Sequence, residues 1–153
     1  MIEKVTFAGR VLMLGYGSVG QCVLPVILRH FAMDPARITV IEDADHEAQF
    51  APFRALGMRH ERTRLTPDNL ASVLDAHAGP GDLVLNLTAG VEAIAIMDWC
   101  QRAGALYVDT SLEPWAEKYE DAALPPWART HYDSHEVTRA RARTTWRRIR
   151  PRA

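Results

Sequence analysis

The chain has 153 residues, 48% of them hydrophobic and 24% charged, with a formal net charge of −1. These values are typical of one globular domain and exclude two ordinary domains. No stretch approaches the roughly 20 apolar residues that span a bilayer, and the N-terminus lacks the pattern of a signal peptide, so we expect a cytoplasmic protein with no membrane partner.

Short apolar runs alternate with segments of helical periodicity along most of the chain. Residues 11–14 form a continuous apolar run that stops at a glycine, which is typical of a central strand covered on both faces. The further predicted elements, in chain order, are a helix at 18–30, strands at 38–41 and 58–62, a helix at 66–77, a strand at 83–87, a helix at 91–102 and a strand at 105–108. This alternation predicts an α/β fold, a doubly wound parallel sheet with five recognisable strands.

The rhythm of strands and helices stops after residue 112, so we divide the chain into three parts. Residues 1–112 are the predicted sheet domain. Residues 113–136, rich in proline and aromatic side chains, are predicted to be an irregular segment that leads toward a further, substrate-binding domain. Residues 137–153 contain seven arginines and no acid, and we predict a disordered basic tail there.

A glycine-rich turn joins the first predicted strand to the first predicted helix. It reads Gly15-Tyr16-Gly17-Ser18-Val19-Gly20. In a Rossmann-like NAD(P)-binding domain the first glycine permits the tight turn, the second lets the backbone approach a pyrophosphate, and the third lets helix pack on strand. The diphosphate then lies at the helix N-terminus.

An acidic residue in the expected position supports this interpretation. Glu42 lies 22 residues after Gly20 and closes the second predicted strand, where a carboxylate can accept hydrogen bonds from the adenosine ribose. Glu42, Asp43 and Asp45 would repel a 2′-phosphate, so we predict NAD rather than NADP. Phosphate-binding P-loops and S-adenosylmethionine-dependent methyltransferases use similar turns, but the chain lacks the Lys-Ser or Lys-Thr of the former and the preceding acid of the latter.

Several segments together resemble bacterial homospermidine synthase, a relative of the saccharopine dehydrogenases. They include the glycine turn with its strand, Val40-Ile41-Glu42, Asn86-Leu87-Thr88, and a run from Gly104 to Thr110 followed by Glu113-Pro114-Trp115. The resemblance extends from about residue 10 to about residue 140. It implies an NAD-dependent aminoalkyl transferase of polyamine biosynthesis, which makes homospermidine from two putrescine molecules, releases ammonia and recycles NAD as hydride carrier. A homodimer is also implied for the full-length family.

The resemblance also implies roles for individual residues. Glu113 matches a glutamate that faces the diamine, and Trp115 supplies an aromatic face for a cation. The implied contacts of the cofactor, in addition to the glycine turn and Glu42, are Asn86, Leu87, Thr88, Asp109 and Thr110. The sequence assigns no catalytic residue. The six histidines lack the spacing of metal ligands, so no metal is expected, and both cysteines are expected in the core.

The family chain is longer, and the similarity fades where the arginine-rich end begins. We therefore expect a truncated form that binds NAD and is inactive alone. Two alternatives remain open. One is a stand-alone NAD(H)-binding or sensing module whose basic tail contacts nucleic acid, although no recognition-helix pattern supports it. The other is a fragment of a different saccharopine-type dehydrogenase.

Overall fold

Residues 3–144 are described here from a computed structural model of the chain. The strands are β1 Val5–Thr6, β2 Val11–Leu14, β3 Phe31–Ala32, β4 Ile38–Glu42, β5 Arg59–Arg62, β6 Leu83–Asn86 and β7 Leu106–Asp109. The helices are α1 Ser18–His30, α2 Glu47–Arg54, α3 Leu70–His77, α4 Ala93–Ala103, α5 Ala116–Glu120 and α6 His131–Thr144. Two short 3₁₀ helices span Pro35–Arg37 and Pro126–Arg129.

Five strands form one parallel sheet in the order β5-β4-β2-β6-β7. The chain proceeds from β2 outward in one direction and then returns to begin the other half at β6. The strand order therefore reverses between β2 and β6, and ligands of such sheets bind at the carboxyl edge beside this reversal. The predicted doubly wound, Rossmann-like sheet is confirmed. A small separate pair, β1 with β3, was not predicted.

The side chains of β2 alternate between two apolar cores, one on each face of the sheet. Leu12 and Leu14 pack with residues of α3 and α4, whereas Val11 and Met13 pack with residues of α1 and α2. All four are at most 2% exposed. The uninterrupted apolar run is thus explained by burial on both faces. Within residues 3–144, no helix has the length and apolar character that a membrane span requires.

The segment after β7 is more regular than predicted. Residues 113–136 contain α5, a 3₁₀ helix and the first part of α6. Backbone hydrogen bonds tie the segment to the sheet domain, from Ala93 N to Glu113 O at 2.8 Å and from Ala116 N to Gly90 O at 3.2 Å. The interpretation of residues 113–136 as irregular is therefore wrong for a large part of them. Tertiary contacts, which local composition does not reveal, order this segment.

The predicted disordered tail is also wrong in its first part, because residues 137–144 continue α6. Two arginines of this part are ion-paired, Arg139 with Glu136 at 2.5 Å and Arg141 with Asp98 of α4. The second pair fixes α6 to the sheet domain. The sequence analysis treated these arginines as isolated charges and therefore did not predict this contact. Residues 145–153 of the predicted tail lie outside the described residues.

A partly buried ion pair connects the starts of β2 and β6. Asp82, only 7% exposed, accepts hydrogen bonds from Arg10 N at 2.7 Å and Arg10 Nε at 2.9 Å. We expect Asp82→Ala to lower the free energy of unfolding by about 2 kcal/mol, since it leaves a backbone donor and a guanidinium without their acceptor. Urea denaturation measures the loss. Asp82→Asn, which keeps one acceptor oxygen, should lose less, and an unchanged midpoint in Asp82→Ala would contradict the assignment.

Candidate cofactor-binding site

The three glycines of the turn between β2 and α1 occupy three different environments. Gly15 has a φ of +93°, and a Cβ there would lie 2.8 Å from Leu87 O. A Cβ on Gly20 would lie 2.6 Å from Gly15 O, so the helix packs against the turn with no room for a side chain. A Cβ on Gly17 would meet no atom within 4 Å. The turn therefore needs two glycines for its own packing and leaves open space at the third.

That open space lies at the N-terminus of α1. Gly17 is the N-cap residue, no side chain caps the helix, and the first turn contains no acidic residue. Ser18 and Val19, which begin the helix, are exposed. Backbone N–H groups at an uncapped helix start, together with the helix dipole, favour an anionic group there.

Glu42 ends β4 and its carboxylate touches the glycine turn. Oε2 accepts a hydrogen bond from Tyr16 N at 2.5 Å, and Oε1 accepts from Asp43 N at 2.7 Å and Ala44 N at 2.9 Å. Partial burial raises the pKa of Glu42, but the hydrogen bonds from Ala44, Tyr16 and Asp43 outweigh it and hold the pKa below its usual value. The carboxylate is therefore ionised and fixed at neutral pH.

A cavity of about 550 Å³ lies along the carboxyl edge of the sheet, beside the reversal of strand order. Gly15, Gly17 and Glu42 line it on one side, and Trp115 and Glu117 line it on the other. Leu87 and Thr88, two further predicted contacts, also line it. The cavity thus joins the glycine turn to the aromatic motif that follows β7, as expected for an elongated ligand at this edge.

Other predicted contact residues do not line this cavity. The Tyr16 side chain is 1% exposed and packs against Phe50, and Tyr16 N donates to Glu42, so Tyr16 acts on the site by fixing that carboxylate. Asn86, also 1% exposed, donates to the Tyr107 hydroxyl at 3.2 Å and accepts from Thr88 Oγ1 at 2.6 Å. Asn86 thus holds Thr88, a lining residue, in place. Thr110 is exposed and is likewise absent from the lining.

Asp109, at the end of β7, accepts a hydrogen bond from the Tyr107 hydroxyl at 3.0 Å. Burial raises the pKa of Asp109 and also that of Tyr107. These two residues and Asn86 form a partly buried polar network next to the lining residue Thr88. In the described structure this network supports the site rather than forming its surface.

Glu113 and Trp115 lie close in sequence but in different surroundings. Trp115 lines the cavity, whereas Glu113 accepts hydrogen bonds from Tyr119 Oη at 2.5 Å and Ser111 Oγ at 2.8 Å, and lies 3.5 Å from His131 Nε2. Burial raises the pKa of Glu113, but the hydrogen bonds from Tyr119 and Ser111 and the nearby His131 outweigh it and lower the pKa overall. Glu113 is thus held as a carboxylate beside the cavity.

Replacing Tyr119 by phenylalanine should raise the pKa of Glu113, because it removes the strongest hydrogen bond to the charged form. A pH titration of the Glu113 side-chain carboxyl by ¹³C NMR measures this change. Tyr132→Phe is the matched control, since Tyr132 is 83% exposed on the neighbouring helix. An equal pKa in wild type and Tyr119→Phe would show that Tyr119 does not control this carboxylate.

One wall of the cavity was missed by the sequence analysis. Residues 63–67, which follow β5, line it together with residues 89–91 after β6. Arg64 is the only cationic residue among the lining residues of the described chain. This wall could have been predicted only from the position of residues 63–67 directly after a strand, because residues that follow neighbouring parallel strands meet at one edge of the sheet.

Two further expectations concern metal ligands and cysteines. Within residues 3–144, no three His, Cys, Asp or Glu side chains are grouped so that they could hold a metal ion. Cys100 is buried in the core as predicted, and burial raises the pKa of its thiol to about 12. The same prediction is wrong for Cys22, which is exposed because it lies on the outer side of α1.

Comparison with known proteins agrees with this geometry. The chain is 38% identical over 114 residues to homospermidine synthase from Blastochloris viridis, and 33% identical over 112 residues to that from Mesorhizobium japonicum. Each match covers 72% of this chain but only 24% and 23% of the relative, so the chain spans about a quarter of their length.

A solved structure shows the same fold. The crystal structure of homospermidine synthase from Legionella pneumophila in complex with NAD superposes with a TM-score of 0.74 at 25% identity, over 91% of this chain and 28% of that one. The profile of the saccharopine dehydrogenase NADP-binding domain matches residues 11–146, nearly the whole chain. The glycine turn, the sheet and these matches agree, and the chain belongs to the saccharopine dehydrogenase NADP-binding domain family.

Proposed function

We propose that this chain binds NAD in the 550 Å³ cavity and supplies the dinucleotide-binding part of an enzyme of the homospermidine synthase type. The observation that carries the proposal is the open space at Gly17, which faces an uncapped helix start and opens into that cavity. A diphosphate at this place would be held by backbone N–H groups of α1. Bound NAD would supply a hydride acceptor and donor.

The charges of the cavity wall support NAD over NADP. Glu42 Oε1 accepts from two backbone N–H groups and Oε2 from only one, so Oε2 keeps capacity to accept from a ribose hydroxyl. Asp43 lines the same wall. A 2′-phosphate beside these two carboxylates would be repelled, and Arg64 on that wall offsets only part of the repulsion.

The substrate proposed for the whole enzyme is putrescine, a diamine that is cationic at neutral pH. Such a cation binds carboxylates and aromatic faces. Trp115 and Glu117 offer both at the end of the cavity opposite Glu42, and Glu113 lies just outside it as a fixed carboxylate. The proposed product, homospermidine, is made from two diamine molecules. For the whole enzyme we also propose a homodimer and further substrate contacts outside this chain.

The chain is expected to bind NAD without turning over putrescine. Its cavity is open to solvent, and a stored hydride and an imine need an enclosed site to react productively. Of the two carboxylates near Trp115, only Glu117 lines the cavity. A single carboxylate at this end offers too few contacts for the two cationic diamines that the reaction requires. A cytoplasmic location and a reducing environment fit the unpaired Cys22 and Cys100.

Energy transfer from tryptophan to NADH tests the proposal. Because Trp115 lines the cavity, bound NADH should quench tryptophan emission and fluoresce by transfer, and Trp115→Phe should remove a large part of this signal. Trp127→Phe, a 72% exposed tryptophan outside the cavity, is the control and should keep it. If NADH produces no saturable transfer in the unmodified chain, the proposed site is wrong.

The alternative of a sensor that contacts nucleic acid has less support than the enzyme of the homospermidine synthase type. Arg139 and Arg141, two of the arginines on which this alternative rests, form ion pairs with Glu136 and Asp98.

The other alternative, a different saccharopine-type dehydrogenase, would bind the same cofactor. Addition of putrescine to the NADH-loaded chain distinguishes the substrate, because a change in NADH fluorescence with putrescine and none with an amino acid favours the diamine.

A further inference from the structure

A second cavity, of about 380 Å³, lies at the opposite edge of the sheet, where the parallel strands begin. Three arginines line it: Arg10 directly before β2, Arg37 directly before β4, and Arg59 at the start of β5. These three strands are neighbours in the sheet. Because parallel neighbours begin at the same edge, the topology brings three guanidinium groups from distant parts of the sequence to one cavity.

The positive charge of this cavity is only partly neutralised. Asp82 is the carboxylate in its lining, and both of its oxygens are bound by Arg10. Arg37 donates to a neutral acceptor, the carbonyl of Ala8. Arg59 is exposed, and its side chain makes no hydrogen bond or ion pair with any residue from 3 to 144. The charges of Arg37 and Arg59 therefore remain available to a ligand.

Neutral groups of the lining add hydrogen-bonding capacity. Thr39 is only 8% exposed, and its hydroxyl has no hydrogen-bond partner within the described part of the chain. It is the register partner of Arg59, so the two side chains start from adjacent positions on neighbouring strands. The hydroxyl oxygen of Thr39 is not sealed from solvent and Arg59 is exposed, so both groups are free to bond to a ligand that enters the cavity.

Helix polarity alone does not account for three arginines. Helix α3 ends at His77, which lines the same cavity, and cations near a helix C-terminus are stabilised by the dipole. That dipole is equivalent to roughly half an elementary charge at each helix end. His77 already lies in the last turn of this helix, 3.2 Å from Glu61. The charge of two unneutralised arginines exceeds what the helix end offsets.

We propose that this cavity binds a small dianion that carries a phosphate group. Guanidinium groups bind phosphate oxygens through pairs of parallel hydrogen bonds, and the hydroxyl of Thr39 can donate a further one. The cavity lies at the edge of the sheet opposite to the glycine turn, so this ligand and a dinucleotide bind at separate places. The site therefore serves a second anion rather than the cofactor.

An NMR titration with inorganic phosphate tests the site directly. The reporters are the Nε–Hε resonances of Arg10, Arg37 and Arg59, and the backbone amide of Gly79, which also lines the cavity. The amides of Gly17 and Ser18 report separately on the glycine turn. We expect saturable shifts of the first group, with pyrophosphate binding there more tightly than phosphate because of its greater charge.

Arg59→Gln is the informative variant, because its side chain has no partner to lose within residues 3–144 and the fold should be unchanged. We expect it to weaken phosphate binding by about tenfold, the size of one hydrogen bond to a charged group. Arg102→Gln is the matched control: this exposed arginine ends α4 but does not line the cavity, so the affinity should stay within about twofold.

Three results would overturn the proposal. Shifts confined to Gly17 and Ser18 would show that phosphate binds only at the glycine turn. Equal weakening by Arg59→Gln and Arg102→Gln would show a diffuse response to net charge. Saturable shifts with a polyglutamate peptide, but none with phosphate, would show that the arginines bind an acidic protein segment. None of these results depends on whether the chain binds NAD.

Discussion

Replacing Gly17 by valine is expected to abolish NAD binding while leaving the fold intact. A Cβ at this position meets no protein atom within 4 Å, and the φ of −65° lies outside the left-handed region, so we expect the folded chain to accommodate the side chain. The same side chain would fill the place proposed for the diphosphate. Loss of two or more hydrogen bonds to a charged group weakens binding by roughly two orders of magnitude or more.

Gly20→Ala is the matched counterpart, with the opposite expected effects. Its Cβ would lie 2.6 Å from the backbone oxygen of Gly15, which cannot move without displacing the turn. Alanine is the better helix former by about 1 kcal/mol, but overpacking of this kind costs about 1–3 kcal/mol, so we expect a net loss of stability. Thermal denaturation and calorimetric titration of both variants separate the roles. Unchanged NAD affinity in Gly17→Val would refute the proposed position of the diphosphate.

Replacing Glu42 by glutamine is expected to destabilise the chain and to weaken NAD binding together. The carboxylate accepts from three backbone N–H groups, one of them in the glycine turn. The single amide oxygen of glutamine can replace only one carboxylate oxygen, so either Tyr16 N or the pair Asp43 N and Ala44 N loses its acceptor. We expect a loss of about 2 kcal/mol in the free energy of unfolding near neutral pH. The glycine turn loses its connection to β4 at the same time.

The lowered pKa of Glu42 determines the direction in which the free energy of unfolding changes with pH. The pKa of Glu42 in the folded chain is lowered from an ordinary value of 4.5, so the unfolded chain binds the proton more readily. The stabilisation is then fully present above about pH 4.5 and is lost as the pH falls through the folded value. The difference between wild type and Glu42→Gln should shrink over this range. Glu120→Gln, an exposed acid on α5, is the control and should show no such difference.

The sheet could be predicted from sequence because its signals are local. The continuous apolar run of β2, the glycine turn and the helix end at Gly104, which adopts a φ of +72°, are each determined by a few neighbouring residues. The packing expected of the turn is also present, since Gly15 and Gly20 are required by backbone contacts and Gly17 leaves open space. Burial on both faces makes such a strand unambiguous.

The parts that sequence analysis missed depend on contacts between distant residues. Helix α6 is fixed by Arg141 and Asp98, and the positions of Glu113 and Asn86 result from hydrogen bonds to Tyr119 and Tyr107. A motif identifies residues that belong to a site without showing which side chains face the ligand. The strand order and the loops that follow the strands determine which side chains face the ligand. The cavity wall at residues 63–67, which was not predicted, is an example.

Isothermal titration calorimetry of the chain with NAD and with NADP tests the central claim most directly. Because Glu42 and Asp43 line the cavity beside the glycine turn, we predict saturable one-to-one binding of NAD and binding of NADP that is at least about tenfold weaker, the effect of one uncompensated charge contact. Tighter binding of NADP would contradict the assigned role of these two carboxylates. Binding of neither nucleotide would contradict the account as a whole.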